Sequence, residues 1–122
     1  MSMEIETRLS DQLARYLDLA SDQAKVTAAN MANIDTPGYR AVGMDFEAEM
    51  REAMSDVDRG RPERAVRVRQ VDGLVSRPDG NDVSMDREGL NMAEAQLEFK
   101  TGVALLRMEF SRVMDAIHAD SK

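Results

Sequence analysis

From Leu13 onward, apolar and small residues recur alternately four and three positions apart: Leu13, Leu17, Ala20, Ala24, Thr27, Met31 and Ile34. That alternation is the spacing of a coiled-coil seam. Ile5 and Leu9 extend the apolar face upstream, Ser2 is a candidate cap, and Glu4 and Glu6 suit the positive end of a helix dipole. The pattern predicts a helix from about Met3 to about Asn33. Its seam narrows from Leu to Ala in the middle, which lets a neighbouring helix come close. The C-terminal third repeats the alternation through Met92, Gln96, Phe99, Val103, Leu106, Phe110, Val113 and Ile117. Here the predicted helix starts at Ser84 as cap, has Asp86 and Glu88 in its first turn, and runs to about Ala119. Gly89 and Gly102 each cost roughly 1 kcal/mol against Ala inside a helix. Leu97, Ala104, Leu105, Met108 and Met114 widen the apolar surface beyond one stripe. A helix apolar on so much of its circumference needs more than one partner.

Between these arms the pattern breaks. Residues 35–85 hold all three prolines and five of the seven glycines, with no sustained helical period. Ala65 to Val71 alternates apolar and polar residues, and Asp72-Gly73 then Leu74-Val75 follow, which predicts a small hairpin. Residues 52–64 are charged, with no hydrophobe larger than Met54 and Val57, and are expected to be mobile. The expected fold is therefore mainly α. Two long antiparallel coiled-coil helices, in residues 1–34 and 84–122, are joined by an irregular junction and outer loop over residues 35–83, in one structural unit.

Length and composition narrow the function. A chain of 122 residues is one domain's worth of polypeptide. With three Phe, two Tyr, no Trp and ten Met, its packing rests on aliphatic and Met side chains. The absence of cysteine excludes disulfides, thiolate metal sites and a cysteine nucleophile, and the single histidine, His118, excludes a His-based metal cluster. The formal charge of −7 argues against nucleic acid or anionic lipid as a general partner. No stretch approaches the roughly 18 to 20 apolar residues that would span a bilayer, so no direct membrane insertion is expected. The acidic start, Met1 to Glu6, lacks the basic and apolar regions of a cleavable secretory signal.

Candidate chemistry is sparse. His118 and Asp115 can pair on one helix face, but no nucleophile, oxyanion hole or phosphate loop accompanies them. Asp79-Gly80-Asn81-Asp82 lacks the spacing of a calcium loop and reads as a turn. The five arginines from Arg59 to Arg69 face either solvent or an acidic partner, with no aromatic residue interleaved to stack a base. No catalytic residue, metal or cofactor is expected.

The sharpest local signal runs from Ala29 to Arg40, Ala-Asn-Met-Ala-Asn-Ile-Asp-Thr-Pro-Gly-Tyr-Arg. Pro37 pushes Thr36 out of the helical region, Pro-Gly suits the centre of a type II turn, and Asn33, Asp35 and Thr36 offer side chains to the freed helix end. This segment resembles the A-N-x-x-N-x-x-T-P-G-Y-[KR] signature of bacterial flagellar rod and hook proteins, the axial family. Ala29, Asn30, Asn33, Thr36, Pro37, Gly38, Tyr39 and Arg40 all agree with it. Met44 to Glu47 and Asp79 to Glu88 resemble further elements of a proximal rod member, and the short length fits that member too.

The resemblance implies a non-enzymatic subunit of the basal-body rod, on the periplasmic side. Such a subunit leaves the cytoplasm through the type III export apparatus without losing a signal peptide. It would self-associate and pack against other rod subunits, the ring-to-rod adaptor and the membrane-ring protein. Leu13, Leu17, Met31, Phe99, Val103, Leu106, Phe110, Val113 and Ile117 are then expected to carry helix packing. Asn30, Asn33, Thr36, Pro37, Gly38 and Tyr39 would fix the turn. The residues alone leave a second class open, a cytoplasmic helical adaptor or chaperone that holds an amphipathic partner helix in its apolar groove.

Overall fold

The computed structural model describes the backbone of residues 2–120 and side chains from Arg8 to Asp120. The capping role expected of Ser2, and the roles of Glu4, Ile5 and Glu6, lie outside the described side chains. Five elements follow in order: α1 (Ser2–Ala32), β1 (Val42–Gly43), α2 (Phe46–Asp58), β2 (Arg69–Gln70) and α3 (Met85–Asp120).

The two long helices are where the apolar periodicity puts them, and they pack against each other. They run antiparallel, since the end of α1 and the approach to α3 meet where Asn81 Nδ2 donates to Asn33 C=O, while Gly102 lies against Tyr16 and Leu17 deeper along the pair. Leu13, Ala20 and Thr27, seven apart, are buried on α1, with Leu17, Ala24 and Met31 half-buried beside them. On α3 the buried positions are also seven apart: Glu88, Ala95, Gly102 and Glu109. Between Glu88 and Glu109 the seam of α3 consists of two small residues, Ala95 and Gly102. A Cβ built on Gly102 would stand 2.7 Å from Leu17 Cδ2 and 2.8 Å from Tyr16 Cδ1. Gly102 is therefore a notch that admits two side chains of α1, and this contact outweighs the glycine's cost in helix propensity. Ser84 caps α3, accepting from Arg87 N–H at 3.3 Å.

The large hydrophobes of α3 lie elsewhere. Phe99, Phe110 and Ile117, expected to carry helix contacts, are exposed along the single chain, while Val103, Leu106 and Val113 are half-buried. Hydropathy marks the bulkiest side chains, but a close crossing selects the smallest.

The middle segment differs from expectation in two ways. Residues 46–58 form a helix, α2, which takes in residues 52–58 of the charged stretch expected to be mobile over 52–64. Asp45 caps it by accepting from Ala48 N–H at 3.1 Å, and Glu47 and Glu49 occupy its first turn. Phe46 meets Tyr16 edge-to-face, with ring centroids 5.9 Å apart, which docks α2 on α1. Secondly, there is no hairpin within residues 65–75. The second strand, β2, pairs antiparallel with β1 instead, Val42 opposite Gln70 and Gly43 opposite Arg69. Gly43 makes room for Val71, whose Cγ2 comes within 3.0 Å of where a Cβ would be.

Candidate functional site

The residues singled out between Asn30 and Tyr39 come together with Asn81 and Asp82 in one polar junction. Asn30, almost wholly buried near the end of α1, behaves as an extra strand: its Oδ1 accepts from Val42 N–H at 3.0 Å and its Nδ2 donates to Val42 C=O at 2.7 Å. The Tyr39 hydroxyl donates to the same Oδ1 at 3.2 Å. Asn33 caps the helix end by donating to Ala29 C=O at 2.8 Å, and Thr36 Oγ1 donates to Asn33 Oδ1 at 3.1 Å. Tyr39 N–H returns to Thr36 C=O across Pro37 and Gly38, and Gly38 sits at φ 75°, where an L side chain is strained.

From the other side, Asn81 locks that turn. It is fully buried, donates to the carbonyls of Asn33 at 2.9 Å and Thr36 at 2.8 Å, and accepts from Val83 N–H at 2.9 Å. Asp82, also buried, accepts from Ala41 N–H at 2.6 Å and from Arg40 Nε at 3.1 Å. The Ala41 amide above all, with Arg40 in support, holds the Asp82 carboxyl below the usual carboxylate range. Arg77 ties the approach to α3 back to α1, donating to Val83 C=O at 3.1 Å and to Ile34 C=O. The short Asn-rich motif and the Asp-Gly-Asn-Asp turn are thus two halves of one lock, joining elements more than forty residues apart.

The arms present the opposite character. Along α3, Leu90, Leu97 and Met108 are exposed, and so are Phe99, Phe110, Met114 and Ile117. On the ideal turn of about 100° per residue, the first group lies opposite the Ala95 and Gly102 seam and the second flanks it. So wide an exposed apolar surface on one helix is more than scattered surface hydrophobes.

The arginine cluster is committed within the chain. Arg61, Arg64 and Arg67 pair with Asp56, Glu52 and Glu49 on α2, at N–O distances between 2.8 and 3.6 Å. Three of the five arginines that could have met solvent or an acidic partner are therefore spent on α2. Sequence reading missed this because the carboxylates and the arginines belong to separate segments, each of which reads as solvated on its own.

Elsewhere, burial raises the Tyr16 hydroxyl, with Glu98 adding to it, and burial followed by Glu94 raises the Glu98 carboxyl. Among the described residues, no group of three or more metal-ligating side chains converges and no helix is long and apolar enough to cross a membrane.

Comparison with known proteins places this geometry. Residues 17–40, which cover the second half of α1 and the turn, match the family described as flagella basal body rod protein. The flagellar basal body rod protein FlgB of Salmonella typhimurium is 33% identical over 122 aligned residues, spanning 83% of this chain and 86% of the relative. The FlgB of Cereibacter sphaeroides is 31% identical, over 93% of this chain and 99% of its own length. That of Escherichia coli K12 is 28% identical, over 84% and 88%. At these identities and coverages the chain belongs to the FlgB family of flagellar basal body rod proteins.

Proposed function

We propose that this protein is a non-enzymatic structural subunit of the proximal rod of the bacterial flagellar basal body, polymerised through its terminal helices and supporting flagellum-dependent motility. One observation carries the reading. The junction satisfies its polar groups within the chain, while α3 leaves one apolar stripe beside its seam and another opposite it exposed. Neighbouring helices are what such stripes require. The relatives are rod proteins, which decides between the rod and the adaptor in favour of the rod.

In this reading Leu13, Leu17, Met31, Phe99, Val103, Leu106, Phe110, Val113 and Ile117 carry packing within and between subunits. The junction residues Asn30, Asn33, Thr36, Pro37, Gly38 and Tyr39 set the angle at which the outer segment leaves the helical tube. The subunit passes unfolded through the flagellar type III apparatus, keeps its N-terminus, and assembles on the periplasmic side. Its neighbours there are the other proximal rod subunits, the ring-to-rod adaptor and the membrane-ring protein. Mass spectrometry of purified basal bodies from the source organism, with cytoplasm and membranes as controls, tests this. Co-purification with washed rods is expected; a chain confined to the cytoplasm while the bodies are complete would refute it.

A further inference from the structure

The contact between α2 and α1 is of an unusual kind. The residues α2 buries are Glu49 and Asp56, two carboxylates, whereas its Phe46, Met50 and Met54 line an open groove. Among the described residues α1 is the only helix against which α2 packs. The segment that follows α2 doubles back along it and places an arginine at every third position beside those carboxylates. Arg61 and Arg64 both reach Asp56, at 3.5 and 3.0 Å, and Arg67 reaches Glu49 at 3.0 Å and Glu52 at 2.8 Å. Backbone groups join the same ladder: Arg61 N–H donates to Asp56 C=O at 2.7 Å and Arg67 N–H to Glu49 Oε1 at 3.2 Å. The segment also crosses to α1, where Arg15 Nη2 donates to Arg61 C=O at 3.3 Å.

We propose that residues 59–69 are an electrostatic latch, which holds α2 closed on α1 through these arginines and lets α2 open as a unit when they are screened, while α1, α3 and the junction stay together. Two features of the ladder support it. A buried carboxylate stripped of its guanidinium is costly, so α2 stays closed only while Glu49 and Asp56 are paired. The arginine side chains are 46 to 57% exposed, which leaves them open to competing ions. Beyond the ladder, α2 meets α1 through the Tyr16 and Phe46 edge contact, through Leu19, which lines a cleft with Ala53, and through exposed Asp58, 3.9 Å from Arg8 and 3.5 Å from Gln12. At the other crossing to α1, burial and then the neighbouring Asp18 raise the Glu63 carboxyl, so two acids meet there.

Hydrogen exchange of the full chain, followed by mass spectrometry in about 0.01 M and about 1 M sodium chloride, tests the latch, since the Debye length falls from about 30 Å to about 3 Å over that range. The amides of α2 should exchange about tenfold faster or more in high salt, with the part of α3 facing Tyr16 and Leu17 changing about twofold or less. A chain carrying both Arg64→Gln and Arg67→Gln should show the high-salt behaviour of α2 already in low salt. The proposal is overturned if α2 is unprotected in low salt, if its protection ignores salt, if α2 and α3 lose protection together, or if the double variant keeps α2 closed.

Discussion

The junction and the arms of this molecule solve opposite problems. At the junction, Asn81 is fully buried and its amide meets two carbonyls and one N–H of the same chain. On α3, Leu97 is 66% and Phe110 68% exposed in the single chain. The first region is finished by folding and the second is not. A polar network inside one chain fixes a shape, because buried donors and acceptors tolerate few alternative arrangements. An uncovered apolar stripe fixes nothing until a neighbour arrives, and that division suits a subunit whose turn must be built before its packing.

The contrast can be broken first at the junction. Asn81→Ala takes one of two partners from the carbonyls of Asn33 and Thr36, which keep the N–H groups of Thr36 and Tyr39, leaves the buried Val83 N–H with none, and should cost about 3 kcal/mol. Thermal melting followed by circular dichroism would show it. Next comes the one place where the arms are tightly fitted. Gly102→Val drives new atoms into Leu17 and Tyr16 and should cost about 2 kcal/mol in the same assay. Gly89→Ala sharpens the comparison from the other side. Gly89 has open space where its Cβ would go, so the variant should gain about 0.5 to 1 kcal/mol from helix propensity. Two glycines on one helix are thus expected to respond with opposite signs.

The smallest effect concerns acid. Because the folded Asp82 carboxyl sits below its ordinary value, the native state binds its proton less readily than the unfolded chain does. Its contribution to stability is complete above the ordinary aspartate value of about 3.9 and is lost as the pH falls through the lowered folded value. Melting temperature plotted against pH should therefore fall more steeply below about pH 4 for the native protein than for Asp82→Asn.

How much of this was legible differs between the same two regions. The periods of both long helices could be read directly, and so could the turn, since Pro37 fixes the backbone locally and Gly38 permits the positive φ that follows. The phase of α3 could not. Its large hydrophobes suggest a seam through Phe99 and Phe110, whereas the intrachain seam runs through Ala95 and Gly102, chosen by close approach to Tyr16 and Leu17. Helix α2 was hidden for a related reason. Glu49 and Asp56 read as solvent-facing until the arginines that neutralise them fold back from the next segment. The partner of β2 was equally hidden, because Val42 is positioned by Asn30 from a different element. Asn81 was legible as a turn residue, but its long-range bonds to Asn33 and Thr36 were not.

The central claim is that the uncovered face of α3 is covered in the rod. Cells that express both the native chain and a Phe110→Asp variant allow a direct measurement, the ratio of variant to native peptide in purified basal bodies relative to the whole-cell extract. Phe110 is exposed in the single chain, so the variant should melt within about 0.5 kcal/mol of the native protein. An unpaired charge buried against a neighbour costs several kcal/mol, and each 1.4 kcal/mol is about a tenfold change, so depletion of about tenfold or more in the basal bodies is expected. Incorporation at the same ratio as in the extract would contradict the account.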